Sequence, residues 1–206
     1  MRPSSAHWDR VYAAGDATVS WAQDHPAPSL RAIAGTGIAP EAPIIDVGGG
    51  SSALAGELLD AGHTDVTVLD LSANALALAK ERLGGRGDAV EWIVADLLAW
   101  TPARTYALWH DRAVLHFFRC EDDRAAYADR VREAVAPGGH AIVATFAPDG
   151  PPTCSGLPVR RSSSDDVLRL LGPAFVELHA FTEQHVTPGR KTQPFCWLVA
   201  RRRSDG

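Results

Sequence analysis

The sequence predicts an α/β protein built on a doubly wound, mostly parallel sheet with helices on both faces. Three observations carry this. Apolar strand-like runs alternate with runs of helical period from residue 42 onward; the first of them, IIDV, passes straight into GGGSS at residues 48–52; and four successive strand ends carry acids, Asp46, Asp70, Asp96 and Asp111. In such sheets ligands bind beyond the carboxyl ends of the strands, so the glycines and the acids fall on one edge.

The elements follow in order. Two short helical patterns, from Trp8 to Ala14 and from Ser29 to Ala34, flank the stretch VSWAQDHPAP and read as a lid over residues 1–40, ahead of a core over residues 41–206. PIIDV is a buried strand, SALAGELLDAG a helix capped by Ser51 or Ser52 and closed at Gly62, and DVTVLD a second strand. SANALALAKERLG is a helix with Ser72 as N-cap, VEWIVAD a third strand ending in Asp96, and TYALWHD a fourth. EDDRAAYADRVREAV starts with three acids, as suits a helix N-terminus, and is stopped by Pro137-Gly138-Gly139 before the strand HAIVATFA. Residues 148–163, PDGPPTCSGLPVRRSS, read as a long irregular loop, a type that inside a compact domain usually serves function. SSDDVLRLLG is a last helix, and FVELHAFTEQHV and QPFCWLVARR form a closing hairpin that makes the last strand antiparallel to a neighbour.

The 206 residues, 46% hydrophobic and 22% charged, suit one domain with a sizeable core. A net charge of -5 argues against a broad nucleic-acid footprint, and Arg201-Arg202-Arg203 reads as a solvated strand end. Three widely spaced cysteines, Cys120, Cys154 and Cys196, make neither a disulfide framework nor a metal or redox motif, so no metal site is expected. MRPSSAHWDR lacks a signal-type apolar core and no apolar run reaches the roughly 18 residues of a membrane span, so a cytoplasmic protein off the membrane is expected, as monomer or homodimer.

Glycines after the first strand let a ligand approach the backbone, and Gly48, Gly50 and Ala53 also fit the dinucleotide fingerprint G-x-G-x-x-A. Asp70, 24 positions after Asp46, sits where a carboxylate accepts hydrogen bonds from ribose hydroxyls. Up to this point a dinucleotide and a nucleoside-bearing sulfonium remain equal candidates.

The ordered series IIDVGGGSS, VTVLDLS, IVADL, YALWHDRAVLHFF and VAPGGHAIVATF resembles the motif series of class I S-adenosylmethionine-dependent methyltransferases over roughly residues 40–146, with Ser52 in place of the last glycine of the usual first motif. The resemblance implies a Rossmann-like seven-stranded sheet with its seventh strand antiparallel, S-adenosylmethionine as cofactor and S-adenosylhomocysteine as product. It implies that Gly48 and Gly50, with Asp46 and Ser51 in the same turn, pass beneath the methionine part and ribose. Asp70 then holds the ribose hydroxyls, Leu71 flanks adenine, and Asp96 and Leu97 meet the adenine edges. His110 and Asp111 lie near the methionine moiety, and Trp8, Tyr12 and Trp21 close over the sulfonium. If the acceptor arrives protonated a general base is needed, and His110 and His116 are the candidates. Cys154 and His185 read as incidental.

The expected reaction is methyl transfer to an O, N or S atom of a small molecule. The segment WDRVY is also similar to a subgroup that includes protein-lysine N-methyltransferases, which is the first alternative. An NAD-dependent oxidoreductase predicts a Tyr-x-x-x-Lys pair, which the sequence lacks; an inactive cofactor-binding protein is a further alternative. Without an N-P-P-Y segment or a Pro-Cys dipeptide, methylation of nucleic-acid bases is not expected.

Overall fold

The computed structural model describes residues 4–13 and 19–204. Two helices come first, α1 (Ser5–Ala13) and α2 (Ala27–Ala34). α1 covers the predicted first helix as far as Ala13; Ala14 lies outside the described residues. α2 starts two residues earlier than predicted because Pro28 fits the first helical turn, where its missing N–H costs nothing.

The alternation then runs β1 (Ile44–Val47), α3 (Leu54–Asp60), β2 (Val66–Asp70), α4 (Ala73–Leu83), β3 (Val90–Val94), β4 (Tyr106–Arg112), α5 (Glu121–Ala134), β5 (Val135–Phe146), α6 (Ser164–Leu171), β6 (Phe175–Val186) and β7 (Thr192–Arg202). One seven-stranded sheet has the order β3-β2-β1-β4-β5-β7-β6. β1 to β5 are parallel, and β7 runs antiparallel between β5 and β6. The last strand in the chain is therefore an inner strand, and its hairpin partner β6 forms the edge.

Strand alternation builds two cores. Ile44, Val66, Val68 and Leu108 point to one face, where α3 adds Leu54 and Leu58 and α2 adds Ile33. Ile45, Val47, Leu69 and Trp109 point to the other, against Tyr127 and Val131 of α5 and Val167 and Leu171 of α6. Successive side chains of one strand thus serve opposite layers, which is what two-sided helix packing demands.

Several predicted boundaries change. Ser72 caps α4 as expected, its Oγ accepting from the Ala75 N–H. At α3 the N-cap position belongs to Ala53, while Ser52 Oγ accepts from the Leu54 N–H at 3.1 Å. Pro137-Gly138-Gly139 does not separate α5 from the strand: β5 already begins at Val135 and absorbs these residues in a register shift opposite Tyr106 and Leu108. β3 ends at Val94, so Asp96 stands in the turn beyond it. The 148–163 segment contains a small hairpin, Thr153–Cys154 paired with Leu157–Pro158, that its Pro, Gly and Ser content conceals.

Candidate functional site

The carboxyl ends of β1, β2 and β4 converge on the same edge of the sheet. The turn after β1 needs left-handed backbone at Gly48 (φ 65°) and Gly50 (φ 54°), and space is as tight as conformation there. A Cβ on Gly48 would run into Val114 Cγ2, and one on Gly50 into the Tyr12 hydroxyl.

That turn is tied to the next strand end. Asp70 accepts the Gly50 N–H on Oδ2 at 2.9 Å and the Ser72 N–H on Oδ1 at 2.7 Å, so each oxygen keeps a lone pair for a further donor. Burial raises its pKa to about 6 against the opposing pull of those backbone donors.

Two clefts open along this edge. The first encloses about 810 Å³ with its mouth and is lined by Gly48, Asp70, Leu71, Asp96 and Leu97. Trp8, Tyr12 and Trp21 line it as well. Trp8 meets Trp21 and Phe117 edge to face, at ring separations of 5.7 and 5.2 Å, and the Ser72 hydroxyl ties α1 down by donating to Asp9 Oδ1 at 2.6 Å. Asp96 also accepts the Leu98 N–H at 3.0 Å, so it shapes its own turn as well as the wall.

The second cleft shares Trp21, Gly48 and Arg112 with the first and adds Asp46, Ser51, Arg82 and His110. Parallel pairing sets Asp46 beside His110, on the same face of neighbouring strands. His110 Nδ1 lies 2.7 Å from Asp46 Oδ1 and Nε2 lies 3.0 Å from Ser29 Oγ, all three buried. Nδ1 thus faces the Asp46 carboxylate and Nε2 the Ser29 hydroxyl. Both ring nitrogens are thereby engaged, which holds His110 in one orientation in the wall of the second cleft.

Two expectations are corrected here. Asp111 does not face the ligand edge. One position further along β4 it turns to the opposite layer, where it accepts from the Val114 and Leu115 N–H groups and from the Tyr127 hydroxyl at 2.7 Å. His116 lies fully buried between Phe117 and Phe146, lines neither cleft, and is held neutral by burial and by the Arg112 charge, which bring its pKa down to about 3. A group that takes up a proton only in strong acid and reaches no cavity cannot serve as a base near neutrality.

Residue-by-residue reading missed Arg112, Ser29, Val114, Phe117 and Cys154, all of which line a cleft. A signal existed for Arg112: in a strand, positions 110 and 112 share a face while 111 opposes them. Ala113 follows with φ 79°, a strained setting for a side-chain-bearing residue and a common mark of working sites. Cys154 is buried in the first cleft and its thiol is pushed up to about 12 by burial, which leaves it inert as a nucleophile.

Residues 44–139 match the family model described as "Methyltransferase domain". Over these residues the chain is similar to that family. No sequence among curated proteins matches the chain. Among solved structures it resembles the N-methyltransferase NodS of Bradyrhizobium japonicum WM9, solved with S-adenosylhomocysteine, with 19% identity, 97% of this chain and 99% of that one covered, and a TM-score of 0.75. The 1,6-didemethyltoxoflavin N1-methyltransferase of Burkholderia thailandensis, with its substrate and S-adenosylhomocysteine bound, gives 20%, 87% and 78%, and 0.68. The [4+2]-cyclase SpnF gives 14%, 99% and 98%, and 0.73. At these identities the likenesses speak for the fold, and the cyclase shows that the fold also hosts other chemistry.

The first cleft suits S-adenosylmethionine at Asp70, whose buried carboxylate has acceptor capacity left.

Proposed function

We propose that the protein transfers the methyl group of S-adenosylmethionine to an acceptor atom of a small molecule. The observation that carries this is Asp70: a buried carboxylate, oriented by two backbone donors, with lone pairs left over in the lining of the first cleft. In this reading Asp70 accepts from both ribose hydroxyls, Leu71, Asp96 and Leu97 receive adenine, and the Gly48–Ser51 turn with Asp46 and His110 receives the amino-acid end. Residues 1–40 act as the lid through Trp8, Tyr12 and Trp21, whose ring faces suit a sulfonium.

The cofactor supplies an activated methyl group, and the protein's share is alignment and exclusion of water. A cleft lined by three aromatic side chains favours a small acceptor over a polypeptide strand, and of the two histidine candidates only His110 reaches a cleft.

Incubating the protein and a cell extract with methyl-labelled S-adenosylmethionine tests this. Label in extractable small molecules is expected, whereas label confined to polypeptide would sink the small-molecule reading in favour of a protein-lysine substrate. Calorimetry with S-adenosylhomocysteine and with NAD tests the cofactor separately, since binding of NAD alone would remove the basis for methyl transfer.

A further inference from the structure

Helix α1 is tied to the ligand edge by a hydrogen bond that lies outside both clefts. The Ser72 hydroxyl donates to Asp9 Oδ1 at 2.6 Å, and neither residue lines a cleft. Ser72 is fully buried, and each of its donors has a defined partner. Its N–H donates to Asp70 Oδ1 at 2.7 Å and its hydroxyl hydrogen goes to Asp9, while Oγ accepts from the Ala75 N–H at 3.2 Å. One serine therefore orients the carboxylate proposed to take the ribose, caps α4 and holds α1 in place. Asn74 Nδ2, 3.5 Å from the Asp9 carbonyl oxygen, adds a second and weaker tie between the same two helices.

From the same helix Trp8 and Tyr12 reach the lining of the first cleft. Tyr12 is buried, and its hydroxyl fills the place where a Gly50 Cβ would stand, a point 3.6 Å from Asp70 Oδ2. It thus takes up volume beside the oxygen that a ribose hydroxyl has to reach. α1 packs against α4, and the order of the sheet includes none of its residues, so it can part from the cleft without breaking a strand pair. What such a motion breaks is the bond to Asp9, and a buried hydroxyl that loses its acceptor raises the cost of opening.

We infer that α1 is a gate on the first cleft and that the Ser72–Asp9 hydrogen bond is its latch. Asp9, without touching the cofactor, then sets how fast S-adenosylmethionine enters and S-adenosylhomocysteine leaves. This rests on the methyltransferase reading and adds to it the control of cofactor exchange. Because the bond lies outside the cleft, breaking it favours the open form by the same factor whether or not cofactor is bound. While the closed form still dominates, both rates rise by that factor, and the affinity, which is their ratio, stays where it was.

The test is stopped-flow fluorescence of the full chain with S-adenosylhomocysteine, read through Trp8 and Trp21 in the cleft lining, on wild type, Asp9→Ala, Ser72→Ala and the double variant. In Asp9→Ala association and dissociation are each expected to quicken about tenfold, the scale of a hydrogen bond to a charged group, with Kd within about threefold of wild type. Ser72→Ala keeps the amide on Asp70 and should show the same quickening. Asp9→Ala should add no more than about twofold in that background, because the two substitutions remove one bond. If Ser72→Ala does not fold for want of its cap, Asp9→Ala and Asp9→Asn carry the test, the asparagine giving a smaller quickening because it keeps an acceptor oxygen without the charge. Unchanged rates in Asp9→Ala, faster dissociation with a matching loss of affinity, or independent effects of the two substitutions each overturn the inference while the proposed function stands. Failure of wild type to bind S-adenosylhomocysteine sinks the proposed function, and the gate with it.

Discussion

The ends of β2 and β4 each carry a buried aspartate whose pKa is raised to about 6, yet they do different work. Asp70 ends β2 with two backbone donors and spare lone pairs above a cleft. Asp111 lies one residue before the end of β4, and two backbone N–H groups and the Tyr127 hydroxyl close it off in the α5 layer. Burial and strand position are nearly the same for both. What separates them is the parity of the position along the strand, which decides whether a carboxylate meets a ligand or braces a turn.

The largest effect that can break this comparison is on folding. In Asp111→Ala the Tyr127 hydroxyl and two N–H groups lose their acceptor, and a loss of about 3 kcal/mol in urea unfolding is expected, with little change in S-adenosylhomocysteine affinity for the folded protein. If affinity collapses while stability holds, Asp111 belongs to the ligand edge after all. The mirror experiment is Asp70→Asn, which keeps the shape and removes the charge. S-adenosylhomocysteine should bind about 30-fold more weakly, or about 2 kcal/mol, as expected for hydrogen bonds to a charged acceptor.

Acid sharpens the contrast. Ribose hydroxyls need the ionised form of Asp70, so S-adenosylhomocysteine affinity should fall as pH drops through the raised value near 6, by about tenfold at pH 5. Asp70→Asn should flatten that profile and Asp111→Asn should leave it in place. The stability term has the opposite sense. Because the folded pKa of Asp111 lies above its unfolded value, the native state binds the proton more tightly; that contribution is fully present below about pH 4 and is lost as pH rises through about 6. The stability deficit of Asp111→Asn relative to wild type should therefore widen as pH falls from 6 to 4, by up to about 3 kcal/mol for a shift of two units.

How legible these features were in the sequence follows from the same geometry. The strand and helix order, the Ser72 cap and the role of Asp70 could be read because each rests on local signals: an apolar run, a capping hydroxyl, an acid after VTVL. Asp111 was misplaced because a strand-end acid looks the same on either face until the register of β4 against β1 is known. His116 was misread for a related reason: HFF gives no hint that Phe117 and Phe146 shut it away from the cleft. Arg112 was overlooked because arginine after a strand usually reads as solvated, and only the cover from Trp21, Phe195 and Glu183, distant in sequence, makes it a buried cation.

The turn leaving β4 gives the smallest and most local test. Ala113 holds φ at 79°, between the strand carrying Asp111 and the residues whose N–H groups Asp111 accepts. A Cβ in the left-handed region costs roughly 1 kcal/mol, and glycine removes that strain at the expense of a more flexible unfolded chain. Ala113→Gly should therefore raise unfolding stability by about 0.5 kcal/mol, read by urea titration against wild type. If Asp111 is what holds this turn in its strained form, the gain should be larger in the Asp111→Ala background, where the two N–H groups no longer stabilise the conformation. Strict additivity of the two substitutions would mean that the turn is shaped by the packing of Val114 against Gly48 and not by the carboxylate.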